Sequence, residues 1–137
     1  MRSIERKHDG RRILLPVAVL PSRNPTDLTH EMYIGLLDTE ATASWVSSRV
    51  VSRFDLKPSG KRPVIVATEP RLRDSYVFRL GLLGDGLPEH ALPIVFAETI
   101  GFKIDQADGF DVLLGMDILR DTDFSMSRDG RWHLRFG

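Results

Sequence analysis

Short β-rich runs, each closed off by a turn cluster, recur along this chain, and that rhythm constrains the fold more than any other feature. Ile13 to Leu20 (ILLPVAVL) is a first run, and Pro16 within it argues for an edge position or a bend. Pro21 to Thr29 is a turn cluster. His30 to Leu37 reads as a second strand. Pro63 to Thr68 and Ser75 to Leu83 are two more, joined by the polar, hairpin-like segment Glu69–Asp74. Ala91 to Ala97 is another. Asp111 to Leu119 reads as a buried strand that passes through Gly115 into a short helical turn. Residues 124–136 form a hairpin around Arg128-Asp129-Gly130, where Trp132, Leu134 and Phe136 alternate with Arg131, His133 and Arg135. That period of two gives one buried face and one wet face. Ser44 to Phe54 breaks the rhythm. Its apolar positions 46, 50 and 54 lie four apart, which predicts a short amphipathic helix with Ser44 as a possible N-cap. Many short strands with regular turn signals predict an all-β, closed structure with one or two short helices.

Residues 1–12 are polar and mostly charged and read as a flexible tail, or more sharply as a contact for an acidic partner. Residues 13–137 are then the domain, a length that one core can serve without disulfides or metals. The 19 basic and 19 acidic residues cancel, which removes a global electrostatic case for nucleic acid or an anionic membrane as partner. A pI near 6.9 is a weak hint of self-association. There are no cysteines, so thiol catalysis and zinc–thiolate sites are excluded, and a reducing compartment suits the chain. No stretch reaches the ~18–20 apolar residues of a membrane span. The first residues lack the apolar core of a signal peptide, so the expected location is cytoplasmic. His8, His30, His90 and His133 show no metal-ligand spacing, and neither a metal nor a cofactor is expected. Ser47-Ser48 lacks a nucleophile elbow, and Gly81, Gly84 and Gly86 are not followed by the helix that a phosphate-binding loop requires.

The run Tyr33-Ile34-Gly35-Leu36-Leu37 ends on Asp38-Thr39-Glu40-Ala41, an acid and a hydroxyl at the tip of an apolar strand. Far downstream, Asp111-Val112-Leu113-Leu114-Gly115-Met116-Asp117-Ile118-Leu119 supplies a hydrophobic-hydrophobic-Gly block, followed by Asp123-Phe124-Ser125 and Gly130-x-Trp132-x-Leu134-x-Phe136. With the hairpin at Pro63–Leu83 between them, these blocks resemble the retropepsin-like aspartic proteases, the single-domain bacterial relatives of retroviral proteases. The resemblance spans residues 13–137. It implies a closed barrel with a flap hairpin, and a homodimer in which Asp38 of each subunit contributes to a carboxylate dyad. One carboxylate of such a pair acts as base on a bound water while the other, protonated, acts as acid toward the substrate carbonyl. Thr39 would lock the two loops together across the dimer, Ala41 would leave room for the loop and substrate, and Leu114-Gly115 would pack under the acid loop. Residues 131–137 would pair between subunits. The flap tip would be Ala67-Thr68-Glu69-Pro70, and these residues with Glu40 and Ala41 would meet an extended peptide.

Two positions depart from the family pattern. Glu40 stands where the motif has Gly, against the substrate backbone. At ~6 Å and an effective dielectric of ~20, carboxylate–carboxylate repulsion is roughly 3 kcal/mol, enough to push a dyad toward its doubly protonated, inactive state. The flap tip carries Pro70 and no Gly, so it lacks the residue that usually makes such a tip tight and mobile. The leading expectation is an aspartic endopeptidase. The alternatives are a catalytically impaired homologue that binds an extended peptide by strand addition, and a purely structural dimerisation module. Asp117 reads as a helix-N-terminal acid, Asp108 and Asp111 as turn residues, and Trp132 and Phe136 as core or interface.

Overall fold

A computed structural model describes residues 1–22, 24–66, 68–105 and 107–137. The strands are β1 (Arg2–Lys7), β2 (Leu14–Leu20), β3 (Glu31–Leu37), β4 (Trp45–Ser47), β5 (Lys61–Val66), β6 (Glu69–Asp74), β7 (Tyr76–Leu82), β8 (Ile94–Val95), β9 (Thr99–Ile104), β10 (Val112–Leu114), β11 (Asp123–Met126) and β12 (Arg131–Phe136). The helices are α1 (Ser48–Arg53) and α2 (Met116–Leu119). Strands β2-β3-β10-β4-β9-β7 follow one another, and β7 pairs back to β2, so six strands close into a barrel with β8 added at β7. The expected all-β closed barrel with short helices is the fold observed. No helix among the described residues is long and apolar enough to cross a membrane.

The barrel is filled by side chains at alternate positions of its strands, among them Val17, Val19, Phe78, Leu80 and Val112, all fully buried. Fully burying one such side chain is worth about 1.5–3 kcal/mol. Pro16 sits where β2 has a neighbour on one side alone: it faces Ile34 of β3, whereas pairing with β7 begins at Ala18. The missing N–H therefore breaks no ladder bond on the second side. In β7, Arg79 is only 5% exposed. Its guanidinium donates to the carbonyls of Pro21, Pro25 and Asp27 and so fastens the turn cluster to the barrel.

Residues 2–7 are not a frayed tail. They form β1, antiparallel to β12, with Ile4 opposite Leu134 and only 1% exposed. The charge of the segment hid a half-buried strand, because a single inward side chain makes no visible alternation. Asp85 accepts from the Glu5 N–H at 3.0 Å and its own N–H donates to the Ser3 carbonyl, which ties down the outer edge of β1. The order β1-β12-β11 also leaves β12 with no free edge. Of residues 131–137, expected to pair between subunits, 131–136 pair with β1 and 132–135 also with β11 within the chain.

The predicted helix over 44–54 is shorter and preceded by a strand. Ser47, not Ser44, is the N-cap, its hydroxyl accepting from the Val50 N–H. The polar segment 69–74 is a strand rather than a connector. It pairs with β5 from Val66↔Glu69 to Lys61↔Asp74, so the hairpin spans 61–74 and β7 follows after Ser75. Pro63 and Pro70 fall on the same alternate set of pairs, Pro63↔Leu72 and Ile65↔Pro70. A ladder bonded through the other set loses nothing to them. Strand β9 is the element the sequence rhythm did not announce, and β8 is the remnant of the strand expected over 91–97.

Candidate functional site

Strands β3 and β4 flank the Asp38 loop but do not pair with each other. Strand β10 lies between them, parallel to β3 (Leu37↔Leu114) and antiparallel to β4 (Val112↔Val46). The chain must therefore arch over the end of β10, and Asp38 is held at that arch by its N–H, which donates to the Leu114 carbonyl at 2.9 Å. The Glu40 N–H donates to Asp38 Oδ1 at 2.9 Å, while Oδ2 has no hydrogen-bond partner among the described residues. Asp38 is half-buried, and Thr39 and Glu40 are exposed.

Below the arch the packing leaves no room for side chains. A Cβ on Gly115 would lie 2.7 Å from the Ala43 carbonyl oxygen and 2.8 Å from that of Ala41. A Cβ on Gly101 of β9 would approach the Ser44 carbonyl oxygen to 2.1 Å and the Phe78 ring to 2.8 Å. The loop 41–44 is thus clasped between two glycines. Polar bonds complete the clasp. The Met116 N–H donates to the Ala41 carbonyl at 2.7 Å. The Ser44 hydroxyl donates to Asp117 Oδ1 at 2.7 Å and accepts from the Gly115 N–H at 3.0 Å, and the Ser44 N–H donates to Asp117 Oδ2 at 3.0 Å. Asp117, read from sequence as a dipole-compensating acid, is therefore a clamp on the loop. Gly101 and Ser44 were not singled out for this task. The pairing of Ser44 with Asp117 crosses 73 positions of sequence and has no local signature.

Asp111 closes the other side of β4. It accepts from the Ser47 hydroxyl at 2.8 Å and pairs with Arg49 at 2.5 Å, and Arg49 lies 5.4 Å from the Tyr33 ring centre. Burial alone would raise the Asp111 carboxyl, but the Arg49 and Ser47 hydrogen bonds and the Arg49 charge outweigh it and hold the group below its ordinary value. The Tyr33 hydroxyl is pushed up to about 12 by burial and by its bond to Glu31.

A cleft of about 540 Å³ opens over the arch. Asp38, Glu40 and Ala41 line it, with an apolar wall from Trp45, Phe102 and Leu113 and with Pro63, Val64 and Ile65 of β5. Trp45 and Phe102 are register partners in β4 and β9, their ring centres 5.1 Å apart. The structure thus brings Asp38, Glu40 and Ala41 together with the hairpin. Thr39 and the hairpin residues Thr68, Glu69 and Pro70 do not line this cleft; Ala67 lies outside the described residues. Thr68 has φ of +70°, the region that a glycine usually occupies in a tight tip. Among the described residues no group of three metal-ligating side chains converges.

No protein-family model matches the chain, and no curated protein sequence matches it. Among solved structures the chain is similar to a retropepsin-like aspartic protease from Rickettsia conorii. The TM-score is 0.59, over 98% of this chain and 90% of that one, with 10% sequence identity. The chain has a retropepsin-like fold.

Proposed function

We propose that this chain is an aspartic endopeptidase that works as a homodimer, each subunit supplying one Asp38 to a shared dyad. The observation that carries the reading is the placement of Asp38. It follows a barrel strand at the arch over β10, keeps one carboxylate oxygen without a partner among the described residues, and opens into a cleft lined by a hairpin. The other aspartates near the arch are committed, Asp117 to Ser44 and Asp111 to Ser47 and Arg49. A second aspartate for the dyad therefore comes from a second copy of the chain. Thr39 is exposed and without a hydrogen-bond partner among the described residues, as a hydroxyl facing a partner loop would be.

In this mechanism one Asp38 carboxylate removes a proton from a water bound between the two subunits. The water oxygen adds to the scissile carbonyl carbon, and the protonated Asp38 hydrogen-bonds the developing oxyanion. Collapse of the tetrahedral species breaks the C–N bond as the amine leaves with a proton from the dyad. The hairpin 61–74 acts as the flap, with Thr68, Glu69 and Pro70 toward its outer end. A cytoplasmic location belongs to the same proposal.

The test is digestion of a peptide library from acidic to neutral pH. Wild type should cleave, and Asp38→Asn should lose activity by at least about 10²–10⁴-fold with its fold and dimerisation intact. Cleavage that survives Asp38→Asn sinks the reading. No cleavage by wild type, with cleavage restored by Glu40→Gly, would mean a silenced protease whose cleft binds peptides without cutting them.

A further inference from the structure

Resting on the reading of this cleft as a peptide site, we infer that Glu40 selects the substrate: extended peptides with a Lys or Arg within one or two residues of the bond held over Asp38. The cleft contains two carboxylates, Asp38 and Glu40, and no Lys, Arg or His among its lining residues. Several acids of this chain that face a neighbouring element are matched by a cation. Glu31 pairs with Arg53, Asp85 with Arg6 and Asp111 with Arg49. Glu40 has no ion-pair partner among the described residues. The negative charge over the arch is therefore left without a counter-charge of the protein's own. Dimerisation doubles it, because each copy brings a Glu40 beside its Asp38.

The occupant that fits is a cation carried on a peptide. An ammonium or guanidinium beside Glu40 supplies the missing charge, and the same contact offsets the repulsion that two extra carboxylates impose on a singly charged dyad. The remaining wall is apolar, so the residue next to the basic one is a hydrophobic side chain seated on Trp45 and Phe102. Glu40 is held for this task by its own backbone. Its N–H is bound to Asp38 Oδ1, which fixes the residue while the side chain projects freely. A basic peptide thus both binds and restores the charge state that chemistry needs. Glu40 acts here on specificity and positioning, whereas Asp38 carries the bond cleavage.

The experiment uses four pools of degenerate peptides that differ at one central position: Lys, Arg, norleucine or Glu. Retention on the full-length Asp38→Asn protein is read by mass spectrometry, beside the double variant with Glu40→Gln. Gln keeps the volume and the backbone bond and removes only the charge. Lys and Arg pools should be retained roughly five- to tenfold over norleucine, and Glu should be rejected. The preference should vanish in Glu40→Gln and shrink in high salt. Equal retention of Lys and norleucine, a basic preference that survives Glu40→Gln, or no retention of any pool overturns the inference. Cleavage by wild-type protein is scored separately on the same pools. Cleavage without a basic preference leaves the protease reading standing and removes this one. Basic-selective retention without cleavage by wild type does the reverse.

Discussion

Loop 38–44 and hairpin 61–74 face the same cleft but are held in opposite ways. The loop is clasped by backbone against backbone: Gly115 and Gly101 leave it no space, and Ser44 and Asp117 bond it from below. The hairpin pairs with itself, and its two legs are joined again at the base, where the Ser59 N–H donates to the Ser75 carbonyl and the Ser75 N–H to that of Gly60. Its ion pairs, Lys61–Asp74 and Arg71–Glu69 within it and Arg73–Asp105 to the end of β9, are exposed, and such pairs contribute little. Ile65 and Leu72 point to solvent at 69% and 68% exposure. A reacting carboxylate needs a fixed position, whereas a cover that admits a peptide needs freedom, and the packing divides along that line.

The sharpest way to break this comparison is to add one methyl group to each region. Gly101→Ala drives a Cβ into the Ser44 carbonyl and the buried Phe78 ring, and neither can withdraw. The expected cost is about 3 kcal/mol, at the upper end of overpacking. Gly60→Ala, at the base of the hairpin, meets nothing within 4 Å. Its cost is the left-handed backbone alone, φ +115°, about 1 kcal/mol. Urea unfolding of both variants measures the difference. Equal losses would mean that the loop yields as readily as the hairpin.

The next effect sits in the polar clamp. Ser44→Ala removes the donor to Asp117 and leaves the buried Gly115 N–H without an acceptor. An orphaned buried donor costs about 1–3 kcal/mol. The loss should appear as lowered stability in urea and as faster amide exchange at Gly115. A loss under about 0.5 kcal/mol would show that water replaces the hydroxyl and that the glycine packing alone holds the loop.

The same contrast decides what could be read in the sequence. Strand β12 was legible because it buries one face and so alternates, as Trp132, Leu134 and Phe136 do, and barrel strands β2 and β7 were legible as apolar runs buried on both faces. Asp38 and Gly115 were legible because both sit in short local patterns. Strand β1 was hidden by its charged outer face, with Ile4 the one fully buried side chain. Strand β9 was hidden by Gly101, which stands where alternation asks for a side chain and is explained only by the Ser44 carbonyl and Phe78 ring against it. Ser44 read as an N-cap because a serine before a helical pattern is a good local signal. Its actual partner, Asp117, is close only after β10 has inserted between β3 and β4. Hairpin strand β6 read as a connector because, with no barrel behind it, both its faces meet water and no apolar period survives.

The smallest effect on stability, and the one that bears most on function, belongs to the hairpin. Ile65→Ser and Leu72→Ser each change a side chain that is already mostly in water, so unfolding free energies should move by no more than about 0.5 kcal/mol. Binding should separate the two. Ile65 lines the cleft with Asp38, and Leu72 does not. A peptide seated there would cover Ile65, and its loss should weaken retention of peptide pools about tenfold, while Leu72→Ser leaves retention unchanged. A stability loss above about 1 kcal/mol for Ile65→Ser in peptide-free protein would mean that the hairpin is folded down onto the loop before any ligand arrives. The two regions would then form one rigid wall, and peptide entry would require opening it.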